Sequence, residues 1–172
     1  MDIRIALPAD AAPLAQLGAD SFIAKFGDLY RPEDLADFLA GSHSEGKVAK
    51  EIADPRMVVM LAQDGGELLG YCKLVMECGW PEHARGERVI ELKQLYTAPG
   101  ATGKGIGAAL MERAFAQAAG FGADEIQLSV YAHNPGAQKF YARHGFAKVA
   151  DIHFMVGEQR DEEFLFAKVL AG

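Results

Sequence analysis

Residues 91–107 read Glu-Leu-Lys-Gln-Leu-Tyr-Thr-Ala-Pro-Gly-Ala-Thr-Gly-Lys-Gly-Ile-Gly. An apolar strand breaks at Pro99-Gly100, and three alternating glycines, Gly103, Gly105 and Gly107, open a helix. Few arrangements tolerate this order. Glycines without Cβ let backbone N–H groups approach an anion, and the helix that follows adds the positive end of its dipole. A phosphate is then held without a basic side chain. A Walker loop requires a Gly-Lys-Ser/Thr ending, which Gly105-Ile106-Gly107 lacks. A dinucleotide fingerprint is formally matched by Gly103, Gly105 and Ala108, but it expects an acidic residue closing the next strand. That strand, 125–131, closes on Val130-Tyr131, and its acids Asp124 and Glu125 stand at the other end, which weighs against a nicotinamide cofactor.

With 172 residues, half of them hydrophobic and 24% charged, one soluble α/β domain is expected. The longest apolar runs are too short to span a bilayer, so no membrane partner and a cytoplasmic location are expected. The net charge of -7 argues against nucleic acid and suits a cationic small molecule. Cys72 and Cys78 match no redox or zinc spacing and are expected as free thiols. His133 and His144 flank a helix without a second ligand at useful spacing, so no metal is expected.

Hydrophobic periodicity orders the elements. A strand is expected at 3–6, a helix from Pro8 with Leu14, Leu17, Phe22 and Phe26 inward, and helical pieces at 33–39 and 44–52. Strands at 57–62 and 68–77 are joined by a glycine turn, and a loop at 78–86 leads into a strand at 88–97. The glycine turn then opens a helix to about Gly120, followed by a strand at 125–131. Asn134 as cap, Pro135 in first place and Gly145 past the end delimit a helix at 135–144. Strands are expected at 146–149 and 164–169, with 151–161 as a connection. Antiparallel strands followed by strand, helix, strand, helix, strand give a mixed sheet.

Two segments resemble one known family. Thr102, Gly105 and Gly107 fall on the pattern Gln/Arg-x-x-Gly-x-Gly/Ala of the GNAT acyl-CoA transferases, with Thr102 departing from the usual Gln or Arg. Asn134, Ala137, Phe140, Tyr141, Gly145 and Phe146 follow its Asn-x-x-Ala-x-x-Phe-Tyr-x-x-x-Gly-Phe segment at the expected distance. The resemblance covers residues 88–149, and a closer likeness to PaiA-type polyamine N-acetyltransferases extends over nearly the whole chain. It implies a mixed, largely antiparallel sheet of six to seven strands flanked by helices, with acetyl-CoA held where parallel strands 4 and 5 splay apart.

The resemblance also implies site residues. Leu95, Tyr96 and Thr97 would bind the pantetheine and polarise the thioester carbonyl through their backbone. Thr102, Gly103, Lys104, Gly105, Ile106 and Gly107 would hold the phosphates, and Asn134, Ala137 and Tyr141 would line the thiol end. Tyr141 would be the acid, because a phenol with a pKa of about 10 is protonated at rest yet able to protonate a thiolate. Glu91 lies 11 residues before Thr102, the offset of the glutamate base in the histone-acetylating branch. It would take the amine proton, through a water; the competing reading is a strand glutamate paired with Lys93. Phe22, Phe26, Tyr30 and Trp80 would wall a cationic acceptor, with Glu33, Asp34, Asp37, Glu77 and Glu82 available for distal ammonium groups, against plain helix packing and a solvated acidic face. The expected reaction is acetyl transfer to a primary amine, foremost a polyamine. Another amine acceptor, a homodimer, or a non-catalytic CoA-binding role stays open.

Overall fold

The structure is a computed structural model and describes residues 1–170. In chain order its elements are β1 (Asp2–Ile5), α1 (Ala11–Phe26), α2 (Pro32–Ser42), α3 (Glu45–Ala53), β2 (Met57–Asp64), β3 (Glu67–Val75), β4 (Val89–Thr97), α4 (Ile106–Phe121), β5 (Glu125–Tyr131), α5 (Pro135–Arg143), β6 (Ala147–Val156) and β7 (Gln159–Val169). The seven strands lie in the order β1-β2-β3-β4-β5-β7-β6. Neighbours are antiparallel except β4 and β5, which run parallel.

Both sheet faces are covered, because central strands bury residues on each side. On one face Ile106, Leu110, Ala114 and Ala118 of α4 pack with Leu74, Ile90, Leu92, Ile126 and Leu128. On the other, Leu14 and Leu17 of α1 and Val48 of α3 pack with Val59, Leu61 and Tyr71. Burial of this kind supplies about 25 cal/mol per Å² of apolar surface, so these two layers hold the strands in place.

The sheet is opened in its middle. β4 and β5 pair only from Val89–Glu91 to Glu125–Gln127. Beyond that point β4 continues to Thr97 and β5 to Tyr131 without joining. A bulge on the other edge of β4 contributes to the divergence: Lys73 faces Gln94 and Leu74 faces Leu92, leaving Lys93 as the extra residue. An extra residue bends the strand that carries it. Lys93 is fastened to Glu51 of α3 at 3.2 Å, and Glu51 also holds the buried Lys73 at 2.8 Å.

One expectation is corrected. Residues 151–161 are not a connection but most of a long hairpin, β6 and β7, turned at Gly157 with φ 59°. The reason is physical: β6 is an edge strand, and its Asp151, His153, Phe154 and Met155 are all exposed. Without a consistently buried face, the strand prints no period-two alternation. The hairpin tip is clipped to α2 by the buried Asp34, which accepts the Glu158 N–H at 3.0 Å and is paired with Arg31 at 2.9 Å.

Candidate active site

The gap between β4 and β5 is a cavity of about 880 Å³. One side is Leu95 and Thr97 of β4, continuing into Ala101, Thr102, Gly103, Gly105, Ile106 and Gly107; the other is Tyr131, Asn134, Ala137 and Tyr141. The glycines divide the work. Gly103 and Gly105 have φ of 80° and 79°, which glycine adopts without strain and which shapes the turn lining the cavity. Gly107 has no such φ, and a Cβ there would rest in ordinary contact with the Phe140 ring at 3.4 Å. Asn134 caps α5 by accepting the Ala137 N–H at 3.2 Å. Gln138 secures the β5–α5 turn by donating to the carbonyls of Tyr131 and Ala132 at 3.2 and 3.0 Å.

A second cavity, about 340 Å³, opens on the α1–α2 face. Phe22, Phe26, Tyr30 and Trp80 all line it, together with Glu91, Tyr96, Asp161 and Glu163. The two cavities share Lys25, Phe26, Leu95, Tyr131, Asn134, Ala137 and Tyr141. Tyr141 therefore reaches both spaces where the sheet parts. Burial pushes its phenol well above the usual tyrosine range, so it is neutral at rest.

Most of the expected donor-side residues line the first cavity. Lys104 is exposed on the turn, whereas Lys25, His133 and Arg143 are the basic side chains on the wall. The Tyr96 side chain faces the second cavity, packed against Tyr71 with ring centroids 5.4 Å apart. Thr97 is held through its carbonyl by Ser21 of α1 at 3.0 Å. Lys93, the partner considered for Glu91, pairs with Glu51 instead. Burial raises the Glu91 carboxyl, and the charge of Lys93 offsets part of that rise.

The acids expected to meet distal ammonium groups lie off this wall: Asp34 is engaged at the hairpin tip and Glu77 pairs with Arg56 at 3.0 Å. The carboxylates on the wall beside Glu91 are Asp161 and Glu163 of β7, which the sequence reading missed. Asp161 accepts from Tyr30 and from Gln159 Nε2. Glu163 Oε2 is buried with no hydrogen-bond partner, and burial together with the charge of Asp161 pushes its pKa up to about 7. A signal for them exists in the sequence. Asp161 and Glu163 alternate in phase with the buried Leu165 and Ala167, so two acids extend the inward face of a core strand.

Asp124 and Glu125 also find a use. Glu125, fully buried, accepts the Arg85 and Gly86 N–H groups at 2.7 and 3.1 Å, and Asp124 accepts those of Glu87 and Arg88. Gln127 exchanges hydrogen bonds with the Trp80 backbone at 3.1 and 3.0 Å. Asp124, just before β5, and Glu125 and Gln127 at its start thus bind the 78–88 loop and carry Trp80 to the wall of the second cavity.

The model of the acetyltransferase (GNAT) family matches residues 22–146. An uncharacterized N-acetyltransferase of Mycobacterium tuberculosis is 33% identical over 162 residues, covering 94% of this chain and 98% of the relative. One from Lactobacillus delbrueckii subsp. lactis is 29% identical, covering 94% and 92%. Among solved structures, the PaiA N-acetyltransferase of Thermoplasma acidophilum in complex with coenzyme A superposes with a TM-score of 0.80 at 22% identity, over 99% of this chain and all of that one.

Proposed function

The chain belongs to the GNAT family and is an N-acetyltransferase, and from that premise we propose that it acetylates a primary amine of a polyamine in a ternary complex. The observation that carries this reading is the meeting of two cavities at Tyr141, one edged by free β-strand and a glycine turn, the other walled by aromatic rings and carboxylates. Members of the family use acetyl-CoA, which supplies an acetyl group activated as a thioester. The unpaired edge of β4 at Leu95–Thr97 is suited to the pantetheine amides, much as a sheet edge accepts an added strand. The Gly103–Gly107 turn and the first N–H groups of α4 suit the diphosphate, and the Thr102 hydroxyl offers one more donor.

On the acceptor side, an alkylammonium with a pKa of about 10.4 must lose a proton before its nitrogen attacks. Glu91, desolvated at the closed end of the gap, is the proposed acceptor of that proton, through a water. Tyr141, held neutral by burial, is the proposed donor to the departing sulfur. Backbone N–H groups of β4 polarise the carbonyl. The polyamine assignment is supported by the likeness to PaiA-type enzymes across the sequence and by the rings of Phe22, Phe26, Tyr30 and Trp80 beside Glu91 and Glu163.

The test is thiol release from acetyl-CoA against a panel containing spermidine, spermine, an amino acid, an aminoglycoside and an N-terminal peptide. Turnover with the polyamines and little with the others is expected. Release with another amine alone would remove the polyamine reading. CoA binding without release by any amine would make the chain a binding module.

A further inference from the structure

The acceptor-side cavity contains a charged group that the transfer chemistry above leaves unused. Glu163 lines it with Oε2 buried and unpartnered. Its surroundings do not meet its demand for a donor. Asp161 carries the same charge, and the Tyr30 hydroxyl is committed to Asp161. Of the lysines on the cavity wall, Lys93 is paired with Glu51, and neither Lys25 of α1 nor Lys47 of α3 reaches Glu163 Oε2 within hydrogen-bond distance. A buried carboxylate oxygen without a donor is costly to a fold, and a bound cation offsets that cost.

Position gives the group its meaning. Glu91 is level with Gln127 on β5, whereas Glu163 is level with Tyr131, four residues further along the same strand. At the usual rise that separation is about 13 Å along the sheet. Register places Gln127 and Tyr131, and with them Glu91 and Glu163, on one face, and both carboxylates line one cavity. One nitrogen does not need two carboxylates so far apart; a chain with two nitrogens does. Around Glu163 stand Tyr30 of the α1–α2 connection, Tyr96 of β4 and Tyr131 of β5, whose phenols feel its charge. Aromatic rings with a carboxylate among them suit an alkylammonium group.

We propose that Glu163 anchors a second ammonium group of the acceptor, so that the enzyme selects a di- or polyamine over a monoamine of equal chain length. The proposal rests on the acyl-transfer reading only for the fate of the first nitrogen; the anchoring itself is a binding property.

Calorimetric titration of 1,4-diaminobutane, spermidine and n-butylamine into the full-length protein saturated with acetyl-free CoA tests it without turnover. Wild type is expected to bind the two oligoamines and to bind n-butylamine far more weakly. Glu163→Gln is expected to weaken the oligoamines by about 10- to 100-fold, the range of a charge-assisted hydrogen bond, and to leave n-butylamine unchanged. Glu163→Asp should fall between them, and it carries the test should the Gln variant fail to fold. Equal oligoamine affinity in wild type and Glu163→Gln, or equal affinity of wild type for diamine and monoamine, overturns the proposal. Parallel thiol-release assays keep the two readings apart: no release from any amine removes the transferase reading while Glu163-dependent binding stands, and release confined to monoamines removes the anchor alone.

Discussion

The donor side and the acceptor side of this molecule are built on opposite plans. The proposed donor side has a floor of backbone, namely an unpaired strand edge, a turn with two left-handed glycines and the first turn of α4, all from residues 95–107, and is closed by α5 and by side chains such as Phe26, Tyr131 and Arg143. The proposed acceptor side is walled by side chains from α1, α2, α3, α5, β4, β5, β6, β7, the α1–α2 connection and the 78–88 loop. A backbone site suits groups that never change, such as the amides and phosphates proposed here, and would tolerate a change of side chain such as Thr102. A side-chain site is remade by single substitutions, and its chemistry depends on which residues the fold brings together.

That contrast predicts where substitutions act. The largest effect is expected at the junction. Tyr141→Phe should lower kcat by about 10²- to 10⁴-fold, the range for losing a general acid, with CoA affinity by titration retained. Loss of CoA binding in that variant would make Tyr141 a wall of the donor side. Glu91→Gln should lower kcat/KM for the amine by about 10- to 100-fold and remove the acidic limb of its pH profile, which in wild type falls above the ordinary carboxylate range because burial raises this carboxyl. An unchanged limb would leave Glu91 a strand residue.

Smaller effects separate the two sides. Gly105→Ala forces a Cβ into a φ of 79°, a strain of about 1–2 kcal/mol, and should raise the KM for acetyl-CoA by about tenfold while sparing that of the amine. A matching rise in both would show that the sides are not independent. The smallest effect is a pH dependence of stability. The folded chain holds the Glu163 proton up to about 7, above the unfolded value, so between the ordinary carboxylate range and 7 the folded state binds more protons and stability falls as pH rises. Glu163→Gln removes that loss. In thermal unfolding it should be more stable than wild type at pH 8 by on the order of 1 kcal/mol, after discounting for partial solvent screening, and no different at pH 4. Lower stability at pH 8 would mean that Glu163 has a structural partner.

The two sides also differ in how far they are readable before folding. The elements of the proposed donor side were legible because their information is local: a strand that breaks at Pro99, glycines at 103, 105 and 107, and a helix that starts on Asn134-Pro135 all act within one turn of themselves. The order of seven strands followed from the same local signals, except in the hairpin of β6 and β7. There the edge strand exposes Phe154 and Met155, and hydropathy carries no phase.

Residue types and spacing alone determined the strand-turn-helix of 91–121 and the capped α5 that carries Tyr141, and the family resemblance pointed to the four aromatic residues that line the second cavity. Tertiary structure decided which carboxylates line the second cavity. Glu33, Asp37 and Glu82 look as suitable in the chain as Asp161 and Glu163, yet only the second pair reaches the cavity, because β7 pairs with β5 and turns that face toward the gap. It also decided that Lys93 leaves Glu91 for Glu51, a pairing across 42 positions that no local pattern encodes. Conformational preference acts over neighbouring residues, whereas burial of charge depends on everything packed around it.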